Sequence, residues 1–134
     1  MSVIVSIVSH NHGVLISDLL KDISKCTNIA KIIITFNVPE QTIHIPFSLN
    51  NKIIKVFNEK PKGFSSNHNY VFNKYCDTEY FLVLNPDIRF SHDPIPLLIN
   101  TFKRDSCMIC APRVINTVGT IEDNARYFPK PLTL

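Results

Sequence analysis

The feature that most constrains this chain is a recurring unit, a short apolar run that stops at a polar cluster. Ser2–Ser9 is followed by "SHNHG", "KIIITF" (31–36) by "NVPE", "KIIKVF" (52–57) by "NEKPKGF", and "EYFLVL" (79–84) by "NPD". A fifth run, "CMICAPRVI", covers 107–115. The runs are nearly continuous in β-branched and apolar residues instead of alternating, which is the pattern of strands buried on both faces in a parallel sheet. Between them the spacing changes to that of helices. Val14, Leu15, Leu19, Leu20 and Ile23 fall on one helical stripe. Ser65 or Ser66 can cap a second helix running to about Cys76. A third covers about 95–103, with Leu97, Leu98, Ile99 and Phe102 inside, Asp93 as its cap and Pro94 or Pro96 in its first turn. Residues 38–51, with Pro39 and Pro46, read as a loop or a short edge excursion. Strand and helix alternation predicts an α/β three-layer sandwich with a mostly parallel sheet. With 134 residues, 45% of them apolar, no internal repeat and no linker, residues 1–134 read as one domain.

Composition removes several classes of function. The net charge is +3 and the lysines are scattered, so there is no stripe for nucleic acid, although mild basicity suits an anionic ligand. No segment reaches the roughly 20 apolar residues of a membrane span. The N-terminus lacks a basic region and a small-residue cleavage site and reads as a strand, not a signal peptide, which gives a cytoplasmic expectation. No GxGxxG follows the first strand and no GxxxxGK[ST] occurs, which disfavours dinucleotide-binding dehydrogenases and P-loop NTPases. The four cysteines, Cys26, Cys76, Cys107 and Cys110, include a CxxC pair. It lies in an apolar run without a second ligand pair, so the cysteines read as small core hydrophobes.

In open parallel sheets ligands bind beyond the carboxyl ends of the strands, where the polar clusters fall. Asn85-Pro86-Asp87 ends a strand built for the core. Pro86 holds Asn85 extended, and Asp87 offers a hard oxygen donor suited to Mg²⁺ or Mn²⁺ beside a bound diphosphate. Asn85 can contact a ribose or a metal-bound water. The bland alternative is a plain Asn-Pro-Asp turn.

Four blocks, "VSIVSHNHGVLISDLL", "NEKPKGFSSNHNYVF", "FLVLNPDIRF" and "APRVINTVGTIEDNARYFP", occur in this order. Together they resemble the nucleotide-binding half of family 2 glycosyltransferases with the GT-A fold, and in particular bacterial rhamnosyltransferase-like members. The resemblance spans nearly the whole chain. It implies a domain that binds a nucleotide-diphospho-sugar with a divalent metal for inverting transfer to a saccharide or lipid-linked acceptor in cell-surface polysaccharide synthesis. Asp87 matches the metal-binding carboxylate, in an "NPD" variant of the DxD motif. His10 and Asn11 match the loop that cradles the base, and Asn37 lies in the polar segment after the second strand. Asn58, Gly63, Asn67 and Asn69 match the second block, where Gly63 lets backbone approach the ligand. Asn85 belongs to the nucleotide-sugar set, and Arg126 matches a basic position that meets phosphate or a sugar hydroxyl. For each asparagine the alternative is loop or cap chemistry.

Two departures bear on function. Many members carry Asp at the end of the second strand, where this chain has Phe36, which can stack on a base or pack. The acceptor-binding half and its acidic motif would follow the "R.FP" block, and Glu122 and Asp123, the candidate catalytic bases, precede it. The acceptor half is therefore expected to be missing from this chain, with a partner chain or homo-oligomer covering the sheet and membrane association at most peripheral. The alternative function is a non-catalytic nucleotide-sugar-binding module, or a remnant acting through protein interaction.

Overall fold

The structure is a computed structural model that describes residues 1–41, 43–105 and 107–122. The chain divides into two compact units, residues 1–96 and 97–134. The first holds a four-stranded parallel sheet in the order β3-β2-β1-β4, formed by β1 (Val3–Ser9), β2 (Ile29–Phe36), β3 (Ile53–Phe57) and β4 (Tyr80–Leu84). Helices α1 (Gly13–Ile23) and α2 (Phe64–Tyr75) provide the crossovers β1-α1-β2 and β3-α2-β4, and a 3-10 turn at Phe47–Leu49 lies between β2 and β3. The expected α/β class with a parallel sheet is thus the observed one, and each strand falls within two residues of its predicted bounds.

Register explains why the apolar runs do not alternate. Ile4, Ile33, Ile54 and Phe81 lie on one face, since Ile4 pairs with Phe81 and Ile33 with Ile54. That face packs on Val71 and Tyr75 of α2. Val5 and Ile7, which pair with Ile32 and Ile34, point the other way and are fully buried as well. Right-handed crossovers that run in opposite directions along the sheet, β1 to β2 and β3 back to β4, place their helices on opposite faces, so the buried stripe of α1 (Ile16, Leu19, Leu20, Ile23) covers this second face. The reversal of chain direction around β1 makes the β1/β4 crevice the topological switch point of the sheet.

Helix α3 (Ile95–Asp105) follows β4. Asp93 caps it as expected, its Oδ1 accepting from the Ile95 N–H at 3.0 Å. In the second unit, a turn built on Asn116 brings Ile115 and Ile121 into a single antiparallel bridge. Gly119 adopts φ +83 there, a conformation that costs a β-carbon-bearing residue energy. The expected fifth strand is not formed. Residues 107–115 carry no strand apart from that bridge, and Met108 and Ile109 are exposed. Apolar composition marks a segment able to join a sheet, but a strand also needs an edge to pair with. The four cysteines are free and half-buried. Burial pushes the Cys26 thiol up to about 12, which keeps it protonated and unreactive. Among the described residues, no helix is long and apolar enough to cross a membrane.

Candidate functional site

The carboxyl ends of all four strands carry polar groups, and three of these ends are tied together by amides. Asn37 directly follows β2, Asn58 directly follows β3, and Asn67 sits in the second turn of α2. The carboxamide oxygen of Asn37 accepts from the Lys62 N–H at 2.8 Å, from Asn58 Nδ2 at 2.9 Å and from Asn67 Nδ2 at 3.3 Å. Its Nδ2 donates to the Lys62 carbonyl at 3.0 Å and to His10 Nδ1 at 3.2 Å, which leaves the ring proton of a neutral His10 on Nε2. Asn58 Nδ2 also donates to Asn67 Oδ1 at 2.7 Å, and Asn67 Nδ2 donates to the carbonyls of Lys62 and Gly63. Asn37 and Asn67 are buried. These amides therefore clamp the 58–63 loop to the ends of β2 and β3 and to the start of α2. Hydrogen bonding of this kind fixes a loop in one conformation, because each buried polar group released from it would be left unpaired.

The clamp accounts for the start of α2. The helix begins at Phe64, with Gly63 as N-cap and no side-chain cap, one or two residues before the serines that intrinsic preference favours. Gly63 has φ -64 and ψ 159, and a β-carbon built on it meets nothing within 4 Å. Neither its backbone nor its packing requires glycine. Helix α1 also begins without a side-chain cap, and neither helix carries an acid in its first turn. The start of α2 thus presents N–H groups that favour negative charge nearby, whereas the start of α1 already has the Glu40 carboxylate beside Gly13. A cavity of ≈ 260 Å³ opens at the start of α1, lined by Asn11, His12, Gly13 and Glu40 among others. Asn11 stands there at φ +65, a region that Asn tolerates better than other non-glycine residues.

Asn85–Ile88 is a turn closed by the Ile88 N–H and the Asn85 carbonyl at 3.4 Å, with Pro86 at its second position, where its fixed φ is at home. Asp87 is exposed on this turn at the carboxyl end of β4. Among the described residues no three His, Cys, Asp or Glu side chains converge on one point. A lone exposed carboxylate fits a hexacoordinate cation that takes its other ligands from water and a bound diphosphate, and does not fit an all-protein metal cage.

The sequence did not reveal how this turn is attached. Arg89, two residues beyond Asp87, donates from Nε to Asp22 Oδ2 at 2.7 Å and from Nη2 to Asp22 Oδ1 at 3.2 Å, and the Phe90 N–H donates to Asp22 Oδ2 at 3.3 Å. Asp22 is buried on α1. The hydrogen bond from Arg89 holds its carboxyl below the usual carboxylate range, against the opposing effect of burial. The available signal was an acid set between Leu20 and Ile23 on the apolar stripe of a helix.

The remaining predicted site residues are distributed as follows. Asn69 is exposed on α2, and His10, Asn11 and Gly63 are exposed at the rim. Phe36 is buried and stacks on Phe57, with ring centroids 5.0 Å apart and an interplanar angle of 12°. Its ring is therefore engaged within the protein. Glu122 is exposed in the second unit and its N–H donates to the Val114 carbonyl at 2.9 Å. Asp123 and Arg126 lie outside the described residues.

Beneath the rim, on the α2 face of the sheet, Ser6 Oγ and His68 Nδ1 are 2.8 Å apart and both residues are buried. His68 Nε2 is buried without a hydrogen-bond partner, and burial lowers the His68 pKa. The Phe64 ring meets the imidazole edge-on at 4.4 Å. Sequence reading passed over Ser6, although a serine within a fully apolar run marks a point where a buried strand needs a polar partner.

No protein-family model matches the chain, and no curated protein matches it in sequence. Among solved structures, the chain is similar to S. aureus TarS, a glycosyltransferase, with a TM-score of 0.58 and 14% sequence identity. The match covers 79% of this chain and 20% of TarS, so the chain corresponds to about a fifth of that protein. At this identity the likeness concerns the fold alone, an α/β parallel sheet that matches a partial GT-A-like fold.

Proposed function

We propose that this chain is the donor-binding part of a family 2 glycosyltransferase. In this reading it holds a nucleotide-diphospho-sugar at the carboxyl edge of the sheet for inverting transfer to a saccharide or lipid-linked acceptor in the synthesis of a cell-surface polysaccharide. One observation carries the reading. A sheet like that of a glycosyltransferase has its switch point at β1/β4, and the three residues that leave β4 at that point, Asn85-Pro86-Asp87, end in an exposed carboxylate. A divalent cation held by Asp87 would supply electrostatic stabilisation of the departing diphosphate.

The chain's own contributions follow from the geometry above. The asparagine clamp fixes the 58–63 loop before ligand arrives, which reduces the ordering cost of binding. The uncapped α2 start and the exposed Lys60 favour an anionic diphosphate. Gly63, with open space at its α-carbon, leaves room for backbone to approach the ligand. Arg126 is assigned to phosphate or sugar by its place in the "R.FP" block. With Phe36 engaged by Phe57, base recognition is assigned to the His10–Asn11 loop.

Titration calorimetry with UDP, GDP and dTDP, each with and without Mn²⁺, tests the proposal. At least one nucleotide should bind more tightly with the metal, and Asp87→Ala should remove that gain. Metal-dependent binding left intact by Asp87→Ala would show that the carboxylate is only part of a turn.

A further inference from the structure

We infer that Asp22 and Arg89 are positioning residues for Asp87, forming a strap that holds the Asn85–Ile88 turn in the geometry needed for cation-assisted diphosphate binding. This inference rests on the proposed role of Asp87 and adds the part of the molecule that sets its place. The turn is anchored on both sides. Before it, Leu84 pairs with Ile7 in the sheet. After it, Arg89 and the Phe90 N–H converge on the Asp22 carboxylate through three hydrogen bonds. The Arg89 guanidinium also lies 3.8 Å from Asp18, one turn earlier on α1. The path is fixed again at Asp93, whose Oδ2 accepts from the Thr27 N–H at 2.7 Å and hydroxyl at 2.8 Å. Residues 89–93 are thereby fastened to α1 and to the segment that enters β2.

The quality of the anchor matters because α1 is a rigid support, with Ile16, Leu19, Leu20 and Ile23 buried. A two-point guanidinium–carboxylate fork fixes direction as well as distance, which a lysine cannot do. A carboxylate that shares a cation with a diphosphate must be placed to within about 0.5 Å. Without the strap, the next anchor after the turn would be Asp93, six residues beyond Asp87, and the turn itself is closed by one hydrogen bond of 3.4 Å. Asp87 itself is exposed, so its position depends on the backbone that carries it.

Arg89→Gln, Arg89→Lys and Asp22→Asn in the full chain test this inference with two readouts. The first is amide hydrogen exchange at residues 88–90 without ligand. Arg89→Gln and Asp22→Asn should accelerate it while β1 and α1 stay protected, with Arg89→Lys intermediate. The second is the gain in nucleotide affinity that Mn²⁺ confers on UDP, GDP or dTDP. This gain should fall by roughly 10-fold, the lower end for outer partners of metal ligands, while metal-free affinity stays within about twofold. Unchanged exchange at 88–90 would show that the strap does not hold the turn and would overturn the inference, even if metal-dependent binding is present. Equal loss of metal-free and metal-dependent affinity would mark a merely structural role and overturn it too. Absence of any Mn²⁺ gain in the unaltered protein would refute the role of Asp87, and the inference with it.

Discussion

Replacing Asn37 by alanine tests whether the amide clamp is a main support of the ligand edge. The substitution removes one carboxamide that makes five hydrogen bonds. Three are at 3.0 Å or less, to the Lys62 N–H, the Lys62 carbonyl and Asn58, and two are longer, to His10 and Asn67. A net bond contributes about 1 kcal/mol, so the three short ones suggest about 3 kcal/mol. Some groups keep a second partner: the Lys62 carbonyl still receives Asn67, and Asn58 still reaches Asn67 Oδ1. The expected loss is therefore about 2–3 kcal/mol, mostly from the Lys62 N–H left without its acceptor. Urea unfolding followed by far-UV circular dichroism reads this as a lower midpoint with little change in slope. Asn69→Ala, on the exposed side of α2, should stay within about 0.5 kcal/mol. A cycle with Asn58→Ala should show coupling of about 0.5 kcal/mol or more, since the two amides bond directly. A loss below about 0.5 kcal/mol for Asn37→Ala, with no coupling, would refute the clamp.

Two further outcomes follow from the same geometry. His68 has its folded pKa lowered by burial, so the unfolded chain binds the proton more readily. Its contribution is complete above the unfolded value of about 6.5 and is lost as pH falls from there through the folded value, at up to about 1.4 kcal/mol per pH unit. Unfolding measured from pH 7.5 to 5 should show this decline, and His68→Phe should flatten it; an unchanged slope would assign the pH dependence to other groups. Gly63→Val should cost no more than about 1 kcal/mol of stability, because a β-carbon there meets nothing and φ is ordinary, which leaves the poorer N-cap preference of valine at the start of α2 as the main loss. The same variant should weaken nucleotide binding in calorimetry, and unaltered binding would remove Gly63 from the ligand edge.

The fold was legible where one physical signal dominates. Runs such as "KIIITF" can only be buried on both faces, and helical spacing between them leaves few architectures. Legibility failed where an element depends on a partner. Residues 107–115 have the composition of a strand, but composition cannot supply an edge to pair with. The start of α2 was misplaced toward Ser65 and Ser66, because cap preference is a local quantity while Gly63 is held through its carbonyl by Asn67.

The candidate site shows the same division more sharply. A sequence reveals that an asparagine is polar and that it follows a strand, but not whether its amide is already engaged. Asn37, Asn58 and Asn67 gather at the predicted edge, yet they bind one another and the backbone of residues 62–63. Any contact they make with a ligand must use capacity left over from the clamp or displace part of it. Asn37 is fully committed, with both N–H groups donated and three bonds accepted. Its effect on a nucleotide would therefore pass through the loop it fixes. Asn11 and Asp87, exposed at the same edge, have no such burden, and the His10 ring is engaged only through Nδ1. The Asp22–Arg89 pair joins residues 67 positions apart, beyond the reach of any local pattern, although an acid on the apolar stripe of α1 already required a partner. At this edge, the side chains most deeply embedded in hydrogen bonds shape the loops, and those left exposed remain to meet the ligand.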